Sequence, residues 1–303
     1  MTTLRIGTRR SALAMYQTNL VAARLRSAHP GATVEIVEID TKGDKIRDVP
    51  LPEIGGKGLF TFEIEQQLLS EDIELAVHSL KDLPSALPDG LIYAGSLERG
   101  TPYDAFVSET YHRLRDVPEG ETIATGSVRR RAQLLAMRPD LEFVDLRGNI
   151  DTRLKKLTDH GWAGIIMAAT ALERLELSER ITQRLGAPDY IPAVGQGAIG
   201  LEIKQGREDV AALLAPILHA ETVTCVQAER RFMAKLEGGC SAPLAAYCEP
   251  HGDSSYSFHA WVADPGGARV MRDTVRGSAP CALADTMADQ FLANGARQLM
   301  RGE

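Results

Sequence analysis

Short apolar runs alternate with segments of helical periodicity along the first two-thirds of the chain. The runs predict buried strands at Leu4–Gly7, Val34–Ile39, Leu75–Val77, Thr122–Thr125, Phe143–Leu146 and Gly164–Ala168. Apolar residues that recur every three or four positions predict helices at Ala12–Leu25, Phe60–Leu69, Val128–Met137 and Ile150–Leu157. Strand–helix alternation of this kind is typical of parallel sheets covered by helices on both faces.

The pattern changes after about residue 218. A long helix is predicted from about Thr222 to Leu236 and a closing helix from about Pro280 to Leu299. Between them lie three alternating stretches joined by turns rich in Gly, Asp, Ser and Pro, at Leu244–Cys248, Tyr256–Val262 and Arg269–Val275. This order predicts an antiparallel meander. The chain is therefore expected to contain two α/β units and one smaller α+β unit.

Composition narrows the class of protein. The 303 residues are 44% hydrophobic and 25% charged, which is typical of a globular protein with a large core. A net charge of -7 argues against general nucleic-acid binding but allows a local basic cleft. No stretch approaches the roughly 18 apolar residues of a membrane helix. We expect no signal peptide, because the first residues contain arginines and lack an apolar core. Because the four cysteines form no CxxC pair, we expect no metal cage, no disulfide framework and a cytoplasmic location.

Polar side chains follow one of the predicted strands closely. The segment His78-Ser79-Leu80-Lys81-Asp82 comes directly after Leu75–Val77. Ligands of open α/β sheets bind outside the carboxyl ends of strands, so this segment is a candidate site, with a polar surface loop as the alternative. The glycines around Lys57 could turn backbone N–H groups towards an anion, or form a flexible turn.

Cations gather where the later strands end. Arg129 and Arg130 lie in the first turn of a predicted helix, where the helix dipole opposes them, which favours a bound anion over a role in stability. A basic helix face paired with acids is the alternative. Arg147, Arg153 and Arg174 also follow strands, and arginine suits bidentate binding of carboxylates, although each could be a surface ion pair.

Two glycine-rich segments differ in their predicted use. Gly195–Gly200 matches GxGxxG, but it leads into a strand-like run, so we predict a hinge or close packing instead of a dinucleotide site. The glycines of Leu236–Cys240 end the long helix and place Cys240 on a loop. That thiol is a candidate nucleophile or attachment point, or else inert, whereas Cys225 and Cys248 are predicted core residues. These features together fit a polycarboxylate ligand.

Long motifs throughout the chain resemble, in the same order, the hydroxymethylbilane synthase family, also called the porphobilinogen deaminase family. The matching segments are RIGTRRSALA at Arg5–Ala14, GGKGLF at Gly55–Phe60, AVHSLKDLP at Ala76–Pro84, DAFVS at Asp104–Ser108, SVRRRAQL at Ser127–Leu134, LRGNIDTRL at Leu146–Leu154, PAVGQGAIGLE at Pro192–Glu202 and LEGGCSAP at Leu236–Pro243.

The resemblance implies a monomeric transferase that deaminates four porphobilinogen molecules and joins them head to tail into hydroxymethylbilane, releasing ammonia. Growth begins on a dipyrromethane cofactor held by a thioether, which the motif puts at Cys240, and the catalytic aspartate falls on Asp82. The implied cofactor-binding residues are Lys57, Lys81, Ser127, Arg129, Arg130 and Arg147. The implied residues for substrate and growing polypyrrole are Arg9, Ser11, Arg153, Arg174 and Gln196.

The family also implies the fold class: two α/β lobes like those of type 2 periplasmic binding proteins, plus a smaller C-terminal α+β domain with a three-stranded antiparallel sheet. Domain 1 is expected at residues 3–97 and 198–216, domain 2 at 100–196, and domain 3, which carries Cys240, at 219–303. The chain is expected to cross between lobes near Leu97–Pro102 and Pro192–Gly197.

Three residues depart from the family pattern. Glu53 stands where some members have lysine, Gly126 replaces a common hydroxyl residue, and Glu173 could hold Arg174 away from a ligand. A non-catalytic anion-binding protein of the periplasmic type is the alternative function, and an inactive relative is a third. Asp82 and Cys240 are both intact, which favours the enzyme.

Overall fold

The structure, a computed structural model, describes residues 3–45, 58–239 and 242–303. These residues fall into two compact units. The first contains residues 3–45, 58–100 and 197–223, and the second contains residues 101–196, 224–239 and 242–303.

The elements are numbered in chain order. The strands are β1 Thr3–Thr8, β2 Thr33–Glu38, β3 Leu75–Ser79, β4 Leu91–Ser96, β5 Asp104–Val107, β6 Thr122–Ala124, β7 Glu142–Val144, β8 Gly164–Ala168, β9 Gln183–Leu185, β10 Ile199–Lys204, β11 Leu244–Pro250, β12 Tyr256–Ala263 and β13 Val270–Gly277. The α-helices are α1 Ala12–Ala28, α2 Lys42–Lys45, α3 Phe62–Leu69, α4 Val128–Met137, α5 Ile150–His160, α6 Ala169–Arg174, α7 Glu208–Leu214, α8 Ala220–Lys235, α9 Pro280–Ala293 and α10 Ala296–Arg301.

The first unit is built on a five-stranded mixed sheet with the order β2-β1-β3-β10-β4. β1 runs parallel to β2 and β3, whereas β10 is antiparallel to its neighbours β3 and β4. Alternate residues of β3 serve different cores: Leu75 and Val77 join the cluster that contains Leu25 of α1, and Ala76 joins that of Ile64 in α3. The strand is thus buried on both faces, which explains its continuous apolar run.

The second unit contains a sheet of the same design, with the order β7-β6-β8-β5-β9. β6 is parallel to β7 and β8, and β5 is antiparallel to β8 and β9. The antiparallel strand of each sheet, β10 or β5, directly follows a change of unit along the chain. The two lobes therefore repeat one topology, a duplication that the sequence left open.

The C-terminal part of the second unit has its own sheet and core. Antiparallel strands β11, β12 and β13 form the predicted meander. Phe258 of β12 packs with Phe232 of α8 and Phe291 of α9 in one apolar cluster. The single closing helix that the periodicity predicts is wrong in detail, because Gly295 adopts φ +82° and divides it into α9 and α10.

The glycine-rich segment before β10 serves packing, as predicted. Gly195 and Gly197 have φ of +69° and +88°, which favours glycine. A Cβ at Gly200 would lie 2.7 Å from Cδ1 of Leu80. The segment leads into a strand, so the dinucleotide fingerprint is excluded by its context.

No single helix of the described ranges is long and apolar enough to cross a membrane. Glu208–Ile217 and Ala220–Lys235 would pass that test only as a pair bent by 115°.

Candidate active site

Asp82 lies at the carboxyl end of β3, in the short 3-10 helix Leu80–Asp82. Leu80 and Leu83 are buried on either side of it. The Leu80 amide donates to the Ala198 carbonyl oxygen at 3.1 Å, and the Leu83 amide donates to the Leu80 carbonyl oxygen at 3.0 Å. These contacts fix a turn on which Lys81 and Asp82 stay half-buried.

A pocket of the first unit contains three of the residues predicted from the family, Arg9, Ser11 and Asp82. The sequence separates Asp82 from the other two by about seventy residues, and the parallel pairing of β1 with β3 joins them at one sheet edge. The rest of the lining is Leu13, Ala14, Gln17, Phe60, Thr61, Val77, His78 and Ser79.

Arg9 is held in the wall of this pocket. Its Nε and Nη2 atoms donate to the carboxylate of Asp44 at 3.1 and 2.5 Å, and its guanidinium lies 4.2 Å from the ring centre of Phe60. Burial opposes the charge on Asp44, but Arg9 and the Thr41 hydroxyl bind the carboxylate and hold the pKa of Asp44 below its usual value. Sequence reasoning missed Asp44, whose position in the chain carries no motif signal.

Ser11 has a structural contact of its own. It is the N-cap residue of α1, and its Oγ accepts a hydrogen bond from the Ala14 amide at 3.3 Å. Ser127 does the same for α4, accepting from the Arg130 amide at 3.4 Å. Both hydroxyls lie at helix N-termini, where N–H groups attract anions.

The anion that offsets Arg129 and Arg130 is Asp104, a residue of the chain itself. Arg129 Nη2 lies 2.6 Å from Asp104 Oδ2, and Arg130 donates to Asp104 Oδ1 through Nε at 3.1 Å and Nη2 at 2.6 Å. All three side chains are buried. Both arginines therefore have a structural partner within the chain, as the alternative interpretation, a basic helix face paired with acids, requires.

Gln196 belongs to the same buried network. Its Nε2 donates to Asp104 Oδ1 at 2.9 Å and to the Pro102 carbonyl oxygen at 2.6 Å, and its Oε1 accepts from Arg130 at 3.4 Å. Burial disfavours the charged form of Asp104, but the two guanidinium groups outweigh it and hold the Asp104 pKa far below its usual value. A charged residue inside the apolar run DAFV was the available signal for Asp104.

Arg147 and Arg153 lie around the start of α5. Asn149 caps this helix by accepting from the Thr152 amide at 2.9 Å, and Arg153 Nε donates to the Gly148 carbonyl oxygen at 2.8 Å. Both arginines are half-buried. The structure thus brings them to one strand end, after β7, as the sequence order predicts.

Arg174 ends α6 and is half-buried. The carboxylate of Glu173 pairs with Arg184 at 2.8 Å, so this acid has a partner other than the neighbouring arginine.

Gly126 has a steric reason to lack a side chain. A Cβ there would lie 2.7 Å from the Leu146 carbonyl oxygen and 3.1 Å from Oδ1 of Asp145. The backbone of the β7 loop occupies the space that a hydroxyl residue would need.

Three residues singled out from the sequence, Glu53, Lys57 and Cys240, lie outside the described residues. Helix α8 ends at Lys235, and Glu237 follows with φ +57°. Cys225 and Cys248 are buried, as predicted for core residues. Within the described ranges, no group of three or more His, Cys, Asp or Glu side chains is arranged to hold a metal ion.

Two family models match the chain: "Porphobilinogen deaminase, dipyromethane cofactor binding domain" at residues 4–212, and "Porphobilinogen deaminase, C-terminal domain" at residues 223–293. The porphobilinogen deaminase of Syntrophotalea carbinolica is 45% identical over 301 residues, covering 98% of this chain and 95% of the relative. That of Nitratidesulfovibrio vulgaris is 45% identical over 306 residues, covering 99% and 96%. Among solved structures, lipoprotein Tp32 from Treponema pallidum is 14% identical, covers 73% of this chain and 92% of that chain, and has a TM-score of 0.48.

Proposed function

The chain belongs to the porphobilinogen deaminase family, and from that premise we propose the roles of its individual residues. Its activity is that of a hydroxymethylbilane synthase, which deaminates porphobilinogen and joins the pyrroles into a linear chain, and residues 4–212 match the dipyrromethane cofactor binding domain. A non-catalytic binding protein is therefore set aside. The side chains proposed to perform the reaction are those of the Asp82 pocket in the first unit and those at strand ends of the second unit.

We propose Asp82 as the catalytic group. The observation that carries this role is its position at the end of β3, in one pocket with Arg9 and Ser11. In this reaction the carbon–nitrogen bond of the aminomethyl group breaks, the electron pair leaves with ammonia, and a positively charged methylene-pyrrole remains. A fixed carboxylate accepts hydrogen bonds from pyrrole N–H groups and stabilises that charge. It is also suited to carrying the proton that the attacked pyrrole carbon releases after the new bond forms.

We propose that the remaining cations hold the carboxylates of the growing chain. These donors fit a ligand with several carboxylates. Half-buried Lys81, Arg147 and Arg153 lie near strand ends, and Ser127 and Asn149 cap the N-termini of two helices. When bound, the dipyrromethane supplies the terminal pyrrole to which each new unit is joined. Lys81, Ser127 and Arg147 would hold its carboxylates, with Lys57 also assigned to it, and Cys240 would be its attachment residue.

Arg129 and Arg130 keep a part in this proposal, although Asp104 is bound to both. Two guanidinium charges face one carboxylate, which leaves a net positive charge at the start of α4. That excess favours an anion nearby. Arg9, Ser11, Arg153 and Arg174 would serve the substrate. Gln196 is assigned an indirect part through Asp104, to which it donates.

The test is Asp82→Asn, with Asp89→Asn, an exposed aspartate of the same unit, as the matched control. Asparagine keeps the size and one acceptor but removes the charge. We expect cofactor to remain attached and turnover of porphobilinogen to fall at least about a hundredfold, with a smaller loss in Asp82→Glu. Near-normal turnover of cofactor-loaded Asp82→Asn would end the assignment.

A monomeric state and a cytoplasmic location are part of the same proposal. Size-exclusion chromatography with light scattering tests the first, for which the expected mass is that of one 32.9 kDa chain. Cell fractionation tests the second.

A further inference from the structure

Three buried ionisable side chains lie on elements of the first unit that pack together: Glu65 of α3, His78 of β3 and Glu202 of β10. Their exposed fractions are 3%, 5% and 0%. Nε2 of His78 lies 3.0 Å from Oε2 of Glu202. We call this set the Glu65 cluster. None of its members belongs to the residues given a role above.

Two carboxyl oxygens of the cluster lack hydrogen-bond donors. Oε1 of Glu65 and Oε1 of Glu202 are both buried, and neither has a donor among the residues that the structure describes. Two ionised carboxylates in this setting would repel each other and leave buried charge unsatisfied. One proton held between them removes one charge and supplies a donor.

Electrostatics agree with this geometry. Burial and the charge of Glu202 raise the pKa of the Glu65 carboxyl, against the opposing effects of Thr61 and His78. Helix α3 packs on β1, β3, β4 and β10. Other ionisable side chains on these strands have their own contacts: Arg5 with Glu74, Tyr93 with Ser96, and Lys204 with Glu71. Glu65 therefore faces His78 and Glu202 as its charged neighbours among the described residues.

The Glu65 cluster lies against the wall of the Asp82 pocket. His78 and Thr61 both line that pocket. His78 pairs with Gly200 across the β3–β10 ladder, and Leu80 fills the space over Gly200, two residues before Asp82. The imidazole that Glu202 binds is thus four residues from Asp82 along a short, tightly packed turn.

We propose that Glu65 is protonated and shares its proton with Glu202, and that Glu202 in turn fixes His78 as a positioning residue for the Asp82 turn. The positioning part rests on the proposed role of Asp82, whereas the shared proton does not. Glu202 orients the His78 imidazole through Nε2. The imidazole in turn supports one wall of the pocket that contains the Asp82 carboxylate. Neither acid touches the reacting atoms.

The shared proton is tested by stability against pH in cofactor-loaded protein. Glu65→Gln puts an amide N–H where the proposal puts the carboxyl proton. A raised pKa in the folded state means that the wild type loses stability as pH rises above the ordinary value of 4.5. We therefore expect equal melting temperatures near that pH and a Glu65→Gln variant more stable by at least about 2 °C at about pH 8.

Glu35→Gln, at an exposed position of β2, is the matched control and should show no such gain. A Glu65→Gln variant that is less stable than the wild type at about pH 8, or a difference that does not change with pH, overturns the shared proton.

Positioning is tested by turnover. Glu202→Gln keeps the shape but loses the charged acceptor for His78, so kcat should fall about tenfold or more with cofactor attached and KM little changed. Glu65→Gln should keep kcat within about twofold of wild type from about pH 5 to about pH 8, because it mimics the protonated acid. If Glu202→Gln does not fold, His78→Asn gives the same reading. Unchanged kcat in the folded variant overturns the positioning role.

Asp82→Asn is assayed in the same series, so that failure of the catalytic assignment of Asp82 can be distinguished from failure of the positioning role. Loss of kcat in Glu202→Gln with normal turnover in Asp82→Asn would refute the catalytic assignment of Asp82 and, with it, the positioning of that turn. The stability result for Glu65→Gln would still decide the shared proton.

Discussion

Asp104→Asn removes the carboxylate that two buried guanidinium groups share. Asp104 is completely buried, and Arg129 and Arg130 each approach it to 2.6 Å. Asparagine has nearly the same shape and keeps one acceptor oxygen. Both arginines would then remain in the interior with no anion, because their other described contacts are neutral groups: the carbonyl oxygens of Ile191 and Ile166, the amide oxygen of Gln196 and the ring of Tyr190.

The expected loss is large for a single substitution. Removing one partner of a buried ion pair costs about 3–5 kcal/mol. Since two cations lose the same partner here, we expect at least about 3 kcal/mol, or roughly 6 °C or more in melting temperature. The low pKa of Asp104 means that this stability is present above the ordinary carboxyl value of 3.8 and is lost as pH falls through the lower folded value. The acid limb of the stability curve should therefore be flatter in Asp104→Asn.

Calorimetry on cofactor-free and cofactor-loaded protein measures this effect. The matched control is Glu173→Gln, which breaks a partly exposed pair with Arg184 and should cost less than about 1 kcal/mol. Arg129→Leu should also lower the melting temperature of cofactor-free protein, contrary to what the sequence alone predicts. If Asp104→Asn melts within about 1 °C of the wild type, the account of this network is wrong.

Two further substitutions test contacts of the strand ends and of the pocket wall. Gly126→Ser should destabilise the protein by about 1–3 kcal/mol in urea denaturation, because its Cβ would meet the Leu146 carbonyl oxygen at 2.7 Å, and a neutral effect would contradict that reading. Asp44→Asn should raise KM for porphobilinogen about two- to tenfold with little change in kcat, because Arg9 loses the charged partner that orients it, and an unchanged KM would show that Asp44 does not prepare Arg9.

Local patterns in the sequence were sufficient to predict many of the helices and strands. Helix Val128–Met137 and strand Gly164–Ala168 have the predicted bounds, because each combines strong periodicity or a continuous apolar run with clear end signals. Strands β4, β5 and β9 were not predicted. β5 and β9 are short, and pairing with distant strands defines all three. The break at Gly295 was missed because apolar periodicity continues across it.

The residues of the candidate site also fall into those that the sequence predicted and those that it missed. Motif order alone identified Arg9 and Ser11, whereas Asp82 was also indicated by its position directly after a predicted strand. The fold brings all three into one pocket. Asp44, Asp104 and Glu202 were missed because what matters about each is a partner far along the chain: Arg9, Arg129 and His78. Sequence spacing reports side chains that share an element, and it carries no sign of which acid a given arginine meets across a fold.

The intact mass of denatured protein tests the central claim most directly. The account predicts an adduct equal to two condensed porphobilinogen units, carried by Cys240 in peptide mapping and absent from Cys225, Cys248 and Cys281. Cys240→Ala, with Cys281→Ala as the matched control, should lack the adduct and the activity together. Active enzyme with the mass of the unmodified chain, or with the adduct on another residue, would contradict the account.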